Sequence, residues 1–171
     1  MSTRENVDSD LVEEENHEDT QDGKFLSFSL GKEEYGIEIR HITEIIGTQN
    51  ITELPDMPPF VKGVINLRGK VIPAIDVRLR FGFAEKEYNE RTCIVVVNIN
   101  DLAVGLIVDT VSEVIDIPDS NVEPPPQVTN QAGSRFIKGL GKVDEDVKIL
   151  LDTQRLLFDD ELEQIAESIA A

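Results

Sequence analysis

Hydrophobic and polar residues alternate over short stretches through most of the chain, which is the pattern of half-buried β-strands. The first stretch, FLSFSL from Phe25, is followed by a turn at 31–34 and by YGIEI from Tyr35. Two later stretches, CIVVVNI and AVGLIVDTVSEVIDI, are separated by a turn at 100–101. Strands this short, with turn residues between them, indicate an all-β fold built as small barrels or a sandwich.

Both ends of the chain depart from this pattern. Residues 1–22 contain nine acidic residues and one adjacent apolar pair, so the sequence predicts a disordered acidic tail, with an acidic interaction arm as the alternative. A Pro-rich loop is expected at 117–134. Near the C-terminus, the capping-box spacing of Asp160 and Glu163 and an apolar face predict a short helix over roughly 160–170.

The sequence also contains an internal repeat. YGIEIRHITEII, from Tyr35, aligns with VGLIVDTVSEVI, from Val104, 69 positions later. FVKGVINLRGKVIPAIDVRLRF, from Phe60, aligns with FIKGLGKVDEDVKILLDTQRLLF, from Phe136, 76 positions later. Two matches in the same order predict a duplication, with repeat units at roughly 25–82 and 92–158 inside one domain that spans 23–171.

Residues shared by the two copies are expected to serve the fold. Gly63 and Gly139 follow the same Phe-x-Lys and are expected at a bend or bulge that no side chain fits. Asp76 and Asp152 are expected to cap a short helical turn. The hairpin tips differ, with NLRG at 66–69 and GKVDE at 141–145, so a function private to one copy is expected at a tip.

Composition narrows the classes of function. The formal net charge is −18 and the pI is about 4.3, so the surface repels nucleic acids and anionic lipids. The single cysteine, Cys93, permits no internal disulfide and indicates a reducing compartment. No signal peptide and no apolar run of spanning length are present, so a cytoplasmic location is expected.

Catalytic chemistry finds no support in the sequence. There are two histidines, no Gly-x-Ser-x-Gly elbow, no Cys/His spacing suited to zinc and no Walker A loop. His41 lies in a strand-like segment, and an exposed or half-packed strand residue is the favoured interpretation over a catalytic one. The sequence therefore predicts a binding module rather than an enzyme, with no cofactor and no metal.

Several of these stretches resemble the CheW family of bacterial chemotaxis coupling proteins. The resemblance is carried by FSLGKEEYGIEI, ITEII, FVKGVINLRG, VIPAIDVRLRF and GLIVDTVSEVI, and covers roughly residue 24 to the C-terminus. It implies two SH3-like five-stranded β-barrel subdomains related by the duplication, followed by the short C-terminal helix. Which strands complete which barrel is left open. A stand-alone member is expected, because neither a phosphorylated helix nor a receiver domain is found.

The resemblance also implies a function and a set of partners. The family's members are non-catalytic adaptors that couple the cytoplasmic tips of chemoreceptors to the regulatory domain of the histidine kinase CheA, in arrays at the membrane. A β-barrel that binds a small ligand or a peptide outside signalling is the competing hypothesis.

Two surfaces are expected, the first of them by family correspondence. The receptor-binding groove is expected in the first barrel and comprises Ile42, Glu44, Ile45, Val64, Asn66, Leu67 and Arg68. Arg68 is expected to pair with Glu44 or to bond across the tip, and holding the strands in register is the alternative role. The kinase-binding surface is expected at the apolar end of the second barrel and comprises Cys93, Ile94, Gly105, Val114 and Ile115, with a core role as the alternative.

Overall fold

The computed structural model describes residues 23–125 and 134–170, and most of its regular structure is β. The predicted tail at 1–22 and part of the predicted Pro-rich loop lie outside these residues. The strands are β1 (Lys24–Leu30), β2 (Glu33–Glu38), β3 (Ile42–Gly47), β4 (Val61–Leu67), β5 (Lys70–Asp76), β6 (Cys93–Ile99), β7 (Leu102–Val108), β8 (Thr110–Asp116), β9 (Val122–Glu123), β10 (Ile137–Val143) and β11 (Asp146–Leu151). The helices are α1 (Val77–Arg80) and α2 (Asp159–Ala170).

The strands form two sheets whose orders correspond. One sheet runs β8–β1–β2–β11–β10–β9 and the other runs β3–β6–β7–β5–β4. By the offsets of 69 and 76 positions, β1, β2 and β3 correspond to β6, β7 and β8, while β4 and β5 correspond to β10 and β11. The two orders then match strand for strand, apart from the two-residue β9. The predicted all-β fold with two related units and a C-terminal helix is confirmed.

Each sheet takes strands from both repeats. The hairpin β1–β2 of the first repeat joins the second repeat through a parallel pair with β11, and β6–β7 joins the first repeat through a parallel pair with β5. The registers also correspond, since Gly36 lies opposite Leu150 and Gly105 opposite Ala74. The units at 25–82 and 92–158 are therefore repeats of the sequence and not separate structural units, because neither forms a complete sheet by itself.

The expected bulge glycines lie at register shifts in both copies. The pairing of β4 with β5 shifts between Val61 and Gly63, and that of β10 with β11 shifts between Ile137 and Gly139. Gly63 has φ +145°, and a Cβ there would lie 2.0 Å from the carbonyl oxygen of Thr52. Only glycine fits such a close backbone approach, so the expectation for Gly63 is confirmed.

The two predicted aspartate caps are also present. Asp76 Oδ1 accepts the backbone N–H of Leu79 at 3.3 Å, at the start of α1. Asp152 Oδ1 accepts the backbone N–H of Gln154 at 3.0 Å, at the start of a 3-10 turn over Thr153–Arg155. Each cap satisfies a donor that the chain leaves unpaired as it departs from the end of a strand.

A single large group of buried side chains joins the two sheets. Phe28 and Ile37 of one sheet and Val95 and Leu106 of the other are fully buried in it. Smaller groups lie within each sheet. Because the main core belongs to both sheets, neither sheet buries its apolar face without the other.

Helix α2 covers one side of this core with Leu162 and Ile165, as its apolar face predicts. The predicted cap is wrong, because the helix begins at Asp159 rather than near Asp160. Glu161, rather than Glu163, accepts the N–H of Phe158 at 2.7 Å. Glu161 also accepts hydrogen bonds from a buried cation.

That cation is Arg80, whose side chain is only 6 % exposed. Its guanidinium donates to both carboxylate oxygens of Glu161, at 2.7 and 3.0 Å, and Nε donates to the carbonyl oxygen of Leu156 at 2.6 Å. Its carbon Cζ lies 4.3 Å from the ring centre of Phe60 and 4.9 Å from that of Phe136. A buried guanidinium with these partners fixes the start of α2 against both repeats.

No helix among the described residues is both long enough and apolar enough to cross a membrane.

We expect Gly63→Ala to destabilise the protein by about 2–4 kcal/mol, because the new methyl group collides with backbone rather than with a movable side chain. Gly47→Ala is the matched control, since a Cβ at Gly47 meets nothing within 4 Å. Urea unfolding followed by circular dichroism measures both variants. Equal stability of the two variants would show that the bulge at Gly63 relaxes freely.

Candidate protein-docking site

The tip of the β4–β5 hairpin is a two-residue turn with an unusual backbone. Leu67 pairs with Lys70, and the residues between them, Arg68 and Gly69, have φ +51° and +86°. Positive φ at both central positions gives the turn the twist of the flanking strands. The side chain of Asn66 closes the turn, because its Oδ1 accepts the N–H of Gly69 at 2.8 Å. An arginine in this conformation is strained by about 1–2 kcal/mol relative to glycine.

The arginine side chain reaches from the tip to another strand. Arg68 Nη2 donates to Glu44 Oε2 on β3, so the expected pairing is present. The hydrogen bond to Glu44 and the charge of that carboxylate raise the pKa of the Arg68 guanidinium. Since β3 and β4 are the two outer strands of the five-stranded sheet, the pair connects the sheet's two edges.

The seven predicted receptor-site residues have different environments. Asn66, Arg68 and Ile45 are exposed, and Ile45 is 44 % accessible. Ile42 packs against the main core and Leu67 against the smaller core of the same sheet, while Glu44 and Val64 are half-buried. The structure therefore brings together Glu44 and Arg68, with Ile45 following Glu44 on β3.

One apolar residue beside the tip was missed by sequence reasoning. Val71 lies opposite Asn66 on β5 and is 45 % exposed. In the sequence it opens the run VIPAI, whose other members are buried, so no local pattern separates it from the core. Together, Ile45 and Val71 are exposed apolar side chains on the sheet that carries the Glu44–Arg68 pair.

The expected kinase surface does not form one patch. Cys93, Ile94 and Gly105 lie on β6 and β7, in the same five-stranded sheet as the Arg68 tip, so their placement in the second barrel is wrong. Ile94 is 1 % exposed and Gly105 is buried. The error follows from the exchange of strands, which moves the first hairpin of each repeat into the opposite sheet.

The other two members of that set, Val114 and Ile115, lie on β8 of the six-stranded sheet. Val114 is 55 % exposed, whereas Ile115 packs on the core group of Phe25. Val114 corresponds to Ile45, and the counterpart of Val71 is Val147, which is 50 % exposed. The same two positions are therefore exposed and apolar in both copies.

The hairpin tips next to these positions have opposite charges. In the first copy the tip contains Arg68 and Lys70, and in the second copy the corresponding positions are Asp144 and Asp146. Arg68 and Asp144 share a left-handed backbone, with φ +51° and +55°. The chain thus has related exposed apolar positions on both sheets, with a basic hairpin tip in the first copy and an acidic tip in the second.

The described residues contain no cluster of three His, Cys, Asp or Glu side chains that could hold a metal ion. His41 lies in a 3-10 turn over Ile39–His41, with Nε2 3.8 Å from the carboxylate of Glu38. Burial and the adjacent Arg40 lower the pKa of His41, so its imidazole is neutral at neutral pH.

Comparisons with known proteins agree with this architecture. The family model described as "CheW-like domain" matches residues 24–161. A chemotaxis protein CheW from Klebsiella aerogenes is 38 % identical over 139 residues, covering 81 % of this chain and 84 % of the relative. A chemotaxis protein CheW from Helicobacter pylori is 34 % identical over 148 residues, covering 86 % of this chain and 87 % of the relative.

A solved structure is also similar. The crystal structure of the scaffolding protein TtCheW from Thermoanaerobacter tengcongensis superposes with a TM-score of 0.75 at 38 % identity, covering 81 % of this chain and 94 % of that protein.

Proposed function

The chain belongs to the CheW family, and from that membership we propose that it is the chemotaxis adaptor that couples the cytoplasmic tips of chemoreceptors to the regulatory domain of the histidine kinase CheA. An adaptor of this kind is not an enzyme and acts through protein contacts alone. It is expected to act in the cytoplasm, recruited to receptor arrays at the membrane. The match of the CheW-like family model to residues 24–161 is the observation that carries the proposal.

The receptor surface is assigned to the five-stranded sheet around the Arg68 tip. A receptor tip is a helical hairpin, and a helix docks on a strip of apolar side chains that a few polar groups orient. Ile45 and Val71 supply accessible apolar side chains on this sheet. The ion pair holds the guanidinium in one position. Of the other predicted residues, Ile42 packs against the main core, Leu67 packs against the smaller core, and Val64 is half-buried.

The kinase surface is assigned to the corresponding part of the six-stranded sheet. Val114 and Val147 are the exposed apolar positions there, with Ile115 packed behind β8. The neighbouring tip carries Asp144 and Asp146 where the first tip carries Arg68 and Lys70. Opposite charge at related surfaces favours different partners, because like charges across an interface exclude the wrong one.

We expect Arg68→Ala to weaken binding of a purified receptor fragment by about tenfold or more, as for a residue at the centre of an interface. Arg68→Lys is expected to restore binding only in part, because an ammonium group cannot reproduce a planar donor. Asp144→Ala is the matched control, since it removes a tip charge at the corresponding backbone position. Isothermal titration calorimetry measures affinity, and circular dichroism verifies the fold.

The assignment of the receptor site is wrong if Arg68→Ala binds the receptor fragment like the unmodified protein. It is also wrong if Asp144→Ala is the more damaging change. Loss of receptor binding in both variants, with the fold intact, would place the receptor across both sheets.

The two apolar surfaces provide a second, reciprocal prediction. We expect Val114→Ala/Val147→Ala to weaken binding of the kinase regulatory domain by about tenfold and to leave receptor binding unchanged. Its matched control, Ile45→Ala/Val71→Ala, should weaken receptor binding and spare the kinase. All four residues are at least 44 % exposed, so truncation leaves the core intact. The reverse pattern of losses would show that the partners are assigned to the wrong sheets.

A further inference from the structure

A groove outside both assigned surfaces lies where β11 leads into helix α2. Its volume is about 290 Å³, and it is lined by Arg135, Gln154, Arg155, Leu157, Phe158 and Asp159. Two 3-10 turns, over Ser134–Phe136 and Thr153–Arg155, and the first residue of α2 bring these side chains together. None of the six residues belongs to the surface assigned to the receptor or to the surface assigned to the kinase.

The apolar part of the groove is the side chain of Phe158, which is 39 % exposed. Both repeats end in Arg-Leu-x-Phe, so Phe158 corresponds to Phe81. In the first copy Phe81 is half-buried, and the ring of Phe83 lies edge-on to it with the ring centres 5.9 Å apart. No aromatic ring in the part of the chain that the structure describes packs on Phe158 in this way. The second copy therefore exposes an apolar ring that the first copy covers.

A guanidinium group lies over this exposed ring. Cζ of Arg135 is 4.0 Å from the ring centre of Phe158 and 5.0 Å from that of Phe136. A cation–π contact holds the charge of a guanidinium in place but does not satisfy its five N–H donors. Arg135 makes no hydrogen bond and no ion pair with any residue that the structure describes. The two rings therefore position a planar set of donors that has no acceptor among the described residues.

Two other polar side chains of the lining already have partners. The side-chain amide of Gln154 bonds at both ends to backbone groups at the end of β6 and in the turn that follows it, at 3.0 and 3.2 Å. Arg155 Nε lies 3.4 Å from Oδ2 of Asp152. Within the lining, Arg135 is therefore the cation that is available to a ligand.

An available guanidinium beside an exposed ring selects a carboxylate that is attached to an apolar group. The carboxylate can accept two parallel hydrogen bonds from Arg135, while the apolar group buries the exposed part of Phe158. A phosphate gains nothing from the ring, and its second charge is repelled by Asp159 in the same lining. A free small molecule would be poorly enclosed, because ligand pockets have volumes of about 300–1,000 Å³ and bury most of the ligand. A side chain presented by a partner protein needs no such enclosure.

We propose that this groove is a third docking site, for a peptide segment of a partner protein that carries a glutamate or aspartate next to a large apolar side chain. Arg135 binds the carboxylate, and Phe158 packs against the apolar side chain. The residue that corresponds to Arg135 in the first copy is Pro59, so the site is private to the second copy. Because it shares no residue with the surfaces assigned to the receptor and the kinase, those assignments and this one can fail independently.

The test titrates the full-length ¹⁵N-labelled protein at low salt with acetyl-Leu-Glu-Leu-amide and, as the matched probe without a charge, with acetyl-Leu-Gln-Leu-amide. Sodium acetate is a carboxylate without an apolar group, and inorganic phosphate is the competing anion. The amide signals of Leu157 and Phe158 and the Nε–H signal of Arg135 report on the groove. Arg135→Gln and Arg91→Gln each remove one exposed arginine, inside and outside the groove, so both variants are expected to fold.

We expect the glutamate peptide to shift the groove signals in a saturable way and to bind about fivefold or more tightly than the glutamine peptide, because only the former offers a charged acceptor. Arg135→Gln should weaken the glutamate peptide by a similar factor, and Arg91→Gln should leave its affinity unchanged. Equal binding of the two peptides, undiminished binding by Arg135→Gln, or no saturable shift at the solubility limit of the peptide would overturn the proposal. Acetate or phosphate binding as tightly as the glutamate peptide would also overturn it, because the apolar contact would then contribute nothing.

Discussion

The parallel pairing of β5 with β7 and of β2 with β11 is the interaction on which the rest of the structure depends. Each pair joins strands from different repeats, and without it each repeat would be two separate hairpins and a loose strand. A glycine lies in each of these pairs, crowded by a side chain of β11 at Gly36 and by a side chain of β6 at Gly105. A Cβ at Gly36 would lie 2.9 Å from the side chain of Leu150, and one at Gly105 would lie 2.8 Å from that of Ile94. Pairing across repeats places the main core between the sheets, so folding of one half requires the other.

Residues that the two copies share serve this construction, and residues that differ carry the surface chemistry. The bulge glycines and the aspartate caps recur because each copy must turn its chain in the same way. In each copy, the turn after the first strand has a backbone N–H that needs a hydrogen-bond acceptor, and the two copies supply different acceptors. Gly31 N–H donates to Asp109 at 2.8 Å, whereas its counterpart, Asn100 N–H, donates to the side chain of Gln154 at 3.2 Å. The fold needs an acceptor there, and two different residues supply one.

Much of this fold follows from local sequence pattern. The strands, the duplication and the aspartate caps are predicted because each depends on residues whose spacing is visible along the chain, whereas the Glu44–Arg68 pair is expected only from the family resemblance. Sheet membership is not visible in this way, because parallel pairing across repeats leaves no local signal. For that reason Cys93, Ile94 and Gly105 were placed in the wrong barrel. Val71 was missed because exposure at the end of a buried strand depends on the tip beside it.

On the proposed function, divergence of the two hairpin tips lets a duplicated fold act as an adaptor. Two copies with the same surface would offer the same site twice and would bind one kind of partner at both ends. Here the apolar positions are kept in both copies, while the tip charge changes from Arg68 and Lys70 to Asp144 and Asp146. On the proposed assignment of partners, apolar burial stabilises both contacts and the tip charge decides which partner each surface rejects. A rigid shared core between the sheets holds the two surfaces in a fixed relation, which is the property that coupling two partners requires.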